Sequence, residues 1–265
     1  MSDHVDPVVL VAPAMAIGSQ YYTRLTAAFE RVGWTARALP RRGFEAGAPR
    51  ASRTHDWSYG DEIGDIADAV AQARSLEPAR PVVILGHSLG GQLAVGHQLT
   101  CDPADGIITV GACVPHYRHY RFGGVHVAAM GCLAVPALTA ACGYLPRPAF
   151  GGPGARTLMR EWARMARTGR TPFTAVEPIA TPSLLISMHD DTLAPKRGVD
   201  DLARRFFEPK CVVREHLRPD DVPEGVSNDH IAWARTPSAV VDRAVAWWTT
   251  RAVRRRSEEC GVRPN

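Results

Sequence analysis

The apolar positions of this chain gather in short uninterrupted runs separated by amphipathic stretches. Pro7-Val8-Val9-Leu10-Val11-Ala12-Pro13 has no polar alternation, the pattern of a strand covered on both faces. The same pattern recurs at 81–85, 106–110, 182–187 and 210–215, with a weaker strand at 35–39. Between these runs the spacing changes to that of helices. The stretch 22–32 is amphipathic and ends near Gly33, 61–76 places Ile63, Ile66, Ala67, Val70 and Ala73 on one face, and 89–99 and 239–253 are further helices.

Strands that alternate with helices predict an α/β fold, a mostly parallel central sheet flanked by helices on both faces. The alternation fails once. From about 115 to 179 no strand pattern occurs, two or three helical stretches do, and Gly/Pro breaks fall at Gly123-Gly124, Pro146, Pro148 and 151–154. A structureless loop of that length is improbable in a compact domain. The expected organisation is therefore a core of 1–114 and 180–256, a helical cap insertion at 115–179 and a disordered tail at 257–265; no internal repeat is visible.

Composition narrows the function classes. The chain has 265 residues, 45% of them hydrophobic, and a formal charge of +4, almost all from arginine and without a clustered basic stripe. That balance does not call for a nucleic-acid partner. The 6 cysteines form no C-x-x-C pair, so neither a structural zinc site nor a redox motif is expected. The start of the chain lacks a basic region followed by an apolar run, which makes the cytoplasm the expected location. Residues 125–144 contain only His126 as an ionisable group and are long enough to cross a bilayer, but they are rich in Ala and Gly and contain Pro136. Buried or pocket-lining helices are the preferred reading, with no membrane partner.

Gly86-His87-Ser88-Leu89-Gly90 stands between the apolar strand ending at Leu85 and a helix, the context of a nucleophile elbow. A strand-to-helix turn of that sharpness leaves little room two residues before and after the serine, which Gly86, Gly90 and Gly91 provide. The bland alternative is a tight turn whose serine caps a helix. A serine hydroxyl needs a base to take its proton and a third group to orient that base. After the strand at 182–187 comes His189-Asp190-Asp191-Thr192-Leu193-Ala194-Pro195, and after the last strand Asn228-Asp229-His230. His230 is the candidate base and Asp191 the preferred carboxylate, four residues before a proline; Asp190 stays an alternative. His87, although next to the serine, is expected to pack or orient the elbow. His116, His119 and His126 lack a carboxylate or cysteine to complete a metal site, so no metal and no cofactor are expected.

Attack on a carbonyl also requires two preorganised N–H donors for the oxyanion. Leu89 is one candidate and Met15, in the loop after the first strand, the other. That loop begins Pro13-Ala14, where comparable enzymes often have His-Gly.

These residues resemble the α/β-hydrolase family over about 7–250: Gly-His-Ser-Leu-Gly-Gly-Gln at 86–92, the Asp191 loop and His230. The segments 118–124 and 160–167 are similar to a bacterial subgroup of predicted hydrolases close to the serine aminopeptidases. The resemblance implies a cofactor-free serine hydrolase of an ester, thioester, lactone or amide, with a small molecule carrying an acyl or amide group as its partner. An acyltransferase, thioesterase or cyclising enzyme would use the same three residues, and a catalytically silent binding protein is the third reading. The apolar insertion is expected to turn Val127, Met130, Leu133, Val135 and Leu138 toward the space above Ser88, with Pro136 and Gly143 breaking it into short pieces. Met130, Leu133 and Leu138 are the principal pocket candidates. A homodimer is left open.

Overall fold

Six strands, β1 (Val8–Ala12), β2 (Thr35–Ala38), β3 (Val82–His87), β4 (Gly106–Val110), β5 (Ser183–Met188) and β6 (Val212–Leu217), pair in the order β2-β1-β3-β4-β5-β6 in the computed structural model, which describes residues 5–259. Every pairing is parallel. The helices are α1 (Thr23–Arg31), α2 (Tyr59–Leu76), α3 (Leu89–Thr100), α4 (Val125–Ala129), α5 (Val135–Cys142), α6 (Arg156–Thr168), α7 (Lys196–Phe206) and α8 (Ser238–Glu259).

The two-residue period of a strand explains how the sheet is covered twice. Val8, Leu10 and Ala12 of β1 join one core layer with Ile63, Ile66 and Val70 of α2 and Leu93 of α3. Val9 and Val11 join the other, with Leu25 and Phe29 of α1 and Val241, Ala244 and Trp248 of α8. Every residue of β1, β3, β4 and β5 is buried, whereas β6 at the edge is mostly half-buried and carries Arg214, Glu215 and His216.

Local signals set the ends of several elements. Ser58 caps α2: its hydroxyl accepts from the Asp61 N–H at 3.1 Å, and its own N–H donates to the Asp61 carboxylate at 2.7 Å. This reciprocal pair starts the helix two residues before the apolar period becomes visible. Helix α7 was not anticipated, because it is dominated by charged residues, and its buried face rests on Val199, Leu202 and Phe206.

Between β4 and β5 all regular elements are helical. Pro136 does not break this insertion as expected. A π-helical turn at Met130–Ala134 precedes it, and the Val135 N–H reaches back to the Met130 carbonyl, so the chain has already widened where the proline lacks its own N–H. Gly143 ends α5 in the left-handed conformation, φ 78°. The expected disordered tail also needs correcting, since α8 continues through Glu259 and takes in 257–259; residues 260–265 lie outside the described residues.

Candidate active site

The turn from β3 into α3 puts Ser88 at φ 53°, ψ −115°, a backbone conformation that a non-glycine residue adopts only when its surroundings force it. The surroundings are the three glycines. A Cβ on Gly90 would lie 2.0 Å from the Ala12 carbonyl oxygen, and one on Gly86 would lie 2.4 Å from the Gly91 Cα. The elbow is therefore packed backbone to backbone against the end of β1, with the serine side chain pushed out above the sheet.

Loops at the carboxyl ends of β5 and β6 bring the two partners. Ser88 Oγ lies 3.0 Å from His230 Nε2, and His230 Nδ1 lies 2.6 Å from Asp191 Oδ2. The second oxygen of Asp191 accepts the N–H groups of Leu193 and Ala194, both at 2.8 Å, so the carboxylate is held by its own loop. The Asp191 and His230 side chains are almost completely buried. Asp190 takes φ 55° and turns outward with its side chain 84% exposed, 3.4 Å from His189. Of the two neighbouring aspartates, only Asp191 meets the histidine.

Leu89 is the first residue of α3, and an N–H in the first turn has no acceptor within its helix. Met15 follows Ala14, whose N–H is already committed to the Tyr22 hydroxyl at 2.8 Å. Leu89 and Met15 both border the cavity over Ser88.

Two features of the site escaped the sequence analysis. The first is a buried polar chain under the elbow. Tyr22 donates to His87 Nδ1 at 2.8 Å, and His87 Nε2 lies 2.7 Å from the His230 carbonyl oxygen. A carbonyl can only accept, so Nε2 carries the proton and the Trp233 indole N–H, 3.3 Å away, is the weaker neighbour. Burial holds His87 neutral, pushing its pKa down to about 3. One neutral imidazole therefore ties the loop after β1, through Tyr22, to the backbone of His230. No local signal could have shown this link, because its members lie 65 and 143 positions apart.

The second is Gly111 at the end of β4. Its φ is +59°, and a Cβ there would meet His230 Nδ1 at 3.0 Å and the Asp191 carboxylate at 3.4 Å. A glycine directly after an apolar strand is the only sequence trace of it.

Above Ser88 lies a cavity of about 340 Å³, bordered by His230, Leu89, Met15 and Leu193, with Val127, Met130, Phe150 and Trp162 from the insertion. Burial pushes the Cys113 thiol in its wall up to about 12, so this group stays protonated. Leu133 and Leu138 do not border it: they are 69% and 37% exposed and face away from the sheet. Val135 is buried in the core but is likewise outside the cavity wall. The inward face of this helical run is set by Val127, Gly131, Val135 and Thr139, spaced by four; Leu133 falls on the opposite side and Leu138 on its flank.

The family model for serine aminopeptidase S33 matches residues 3–146, which include the elbow but neither Asp191 nor His230. No curated protein sequence matches the chain significantly. Solved structures that share the fold include a monoacylglycerol lipase from Paleococcus ferrophilus, 16% identical with a TM-score of 0.59, covering 92% of this chain and 96% of that one. A soluble variant of monoglyceride lipase from Saccharomyces cerevisiae, bound to a substrate analogue, is 14% identical with a TM-score of 0.62 over 93% of this chain and 87% of that one. ClbQ from the colibactin NRPS/PKS pathway is 13% identical with a TM-score of 0.61 over 94% and 99%.

Proposed function

As the chain belongs to the serine aminopeptidase S33 family of α/β-hydrolases, we propose that it hydrolyses an ester, thioester, lactone or amide with an apolar acyl group through a Ser88 acyl-enzyme. The observation that carries this reading is the hydrogen-bonded chain Ser88–His230–Asp191, at 3.0 and 2.6 Å, opening into an apolar cavity. In the acylation step His230 Nε2 takes the Ser88 proton as Oγ attacks the carbonyl carbon, and Asp191 stabilises the imidazolium that results. The oxyanion is received by the N–H groups of Leu89 and Met15. His230 then returns the proton to the leaving alcohol, thiol or amine. A water molecule, activated by the same imidazole, releases the acid and restores Ser88.

The cavity supports a substrate with an apolar group. Its volume of about 340 Å³ lies in the range of small-molecule sites, about 300–1,000 Å³. Met15, Val127, Met130, Phe150 and Trp162 offer it apolar walls, and among the described residues no Lys, Arg, Asp or Glu borders it.

A fluorophosphonate probe, which bonds covalently to an activated serine, tests the reading directly. Labelling of the wild type and none of folded Ser88→Ala is expected. A folded wild-type protein that resists the probe and turns over no p-nitrophenyl ester would leave a binding protein as the better description.

A further inference from the structure

The run Arg121–Cys142 is long and apolar enough to cross a membrane by length and composition, yet only 22% of it is buried. Ten large hydrophobic side chains are exposed among the described residues, and four of them, Phe122, Val125, Leu133 and Leu138, fall in this run. Phe122 is 91% exposed. Between Phe122 and Cys142 the only ionisable side chains besides cysteines belong to His126, so the outward face offers water almost nothing to solvate. Soluble surfaces seldom keep such a patch uncovered.

Charge indicates what covers it. Residues 115–179 contain eight arginines, no lysine and two acids, Glu161 and Glu177, a formal +6 in a chain whose total is +4. The remainder of the molecule is therefore slightly negative. The arginines frame the apolar face. Arg118 and Arg121 precede it and are exposed. Arg53, from outside the insertion, donates to the Cys142 carbonyl at 3.0 Å beyond its far end. Arg164 and Arg167 are exposed on α6, which packs beside the π-turn through Gly131. An uncharged apolar face bordered by cations is the pattern of a helix lying in the headgroup region of an anionic bilayer.

We propose that this face docks the protein onto anionic lipid surfaces, with Phe122, Val125, Leu133 and Leu138 entering the interface and the arginines meeting lipid phosphates. The same insertion lends Val127 and Met130 to the cavity on its inner side, so docking sets the cavity wall directly against the lipid. A peripheral contact of this kind revises the expectation that no membrane partner exists without requiring a span. The docking stands independently of the Ser88 chemistry.

Co-sedimentation of the full chain with vesicles tests it. Vesicles of diether phosphatidylcholine alone and with one part in four diether phosphatidylglycerol carry no ester, which separates binding from hydrolysis. Binding to the anionic vesicles, weakened in 0.5 M salt, is expected. Both Arg121→Glu/Arg164→Glu and Phe122→Ser/Leu133→Ser should reduce partitioning by about tenfold or more, with circular dichroism unchanged. Absence of sedimentation with either vesicle, or equal binding to the neutral one, overturns the proposal. So does a concentration-dependent dimer in light scattering that Phe122→Ser/Leu133→Ser dissolves, because a second copy would then be what covers the face.

Discussion

The floor and the ceiling of the cavity are built by opposite means. The floor is made of close backbone contacts and closed hydrogen bonds: Gly90 against Ala12, Gly111 against His230, and Tyr22 and His87 linking Ala14 to the His230 carbonyl. The part of the ceiling built by the insertion consists mainly of apolar side chains, Val127, Met130 and Trp162 among them. A floor of this kind tolerates almost no change, since each atom there is placed by several others. A ceiling of side chains can be repacked while still excluding water. On the proposed chemistry, reaction class resides in the part that cannot vary and substrate choice in the part that can.

The most severe way to break the floor is to remove its reacting groups. Ser88→Ala, His230→Ala and Asp191→Asn should each lower kcat/KM by about 10⁴ to 10⁶ while leaving the folded state in place. Asp190→Asn should cost less than tenfold, because its side chain faces solvent. Steady-state kinetics on a p-nitrophenyl ester checks all four. An Asp190→Asn variant more damaged than Asp191→Asn would contradict the assignment.

A milder change to the floor touches no reacting atom. Gly111→Ala puts a methyl group 3.0 Å from His230 Nδ1 in a left-handed backbone conformation. The ring must give by a few tenths of an ångström, and since a full ångström of misplacement costs on the order of 10² in kcat, a loss of about tenfold is expected. The expected signature is a fall in kcat with KM nearly constant and with fluorophosphonate labelling slowed to the same degree.

The ceiling responds differently. Met130→Asp places a carboxylate in the apolar wall and should depress kcat/KM for an octanoyl ester by about tenfold more than for an acetyl ester, since each buried methylene contributes roughly 0.8 kcal/mol. Leu133→Asp should leave the octanoyl-to-acetyl ratio unchanged for dissolved substrates, because that residue faces outward. Equal effects of the two variants would mean that the insertion closes over substrate in another arrangement.

The contrast also explains how far the residues could be read in advance. Strands β1, β3, β4 and β5 are legible because burial on both faces leaves unbroken apolar runs. The elbow is legible because its glycines act within six residues of one another. The orientation of 125–144 is not, since nearly every side chain in it is apolar and the pattern does not say which face turns inward. Leu133 and Leu138 were placed on the wrong side for that reason. The Tyr22–His87–His230 connection was hidden by chain separation, and α7 by the scarcity of apolar residues on its surface.

The smallest expected effect concerns stability. His87 keeps a pKa of about 3 in the folded state through burial, against about 6.5 when unfolded. Its depressed folded value means that the unfolded chain binds the extra proton first, so the contribution is intact above about pH 6.5 and is lost progressively as pH falls toward 3. The slope within that window is at most about 1.4 kcal/mol per pH unit. Urea midpoints of wild type and His87→Gln at pH 7 and pH 5 measure it: the wild type should lose more stability between the two than the variant does.

The serine and its base are separated by 142 positions. During synthesis the elbow, with β1 and β3 beside it, is complete long before residue 230 exists, and a chain at that stage holds a hydroxyl with no proton acceptor. The His87 imidazole already present is turned beneath the sheet toward Tyr22 and cannot substitute. On the proposed chemistry, Ser88 gains its base only when the segment after β6 seats His230 beside it, on the His87 ring. A chain ending before residue 230 should therefore neither take up a fluorophosphonate probe nor hydrolyse an ester.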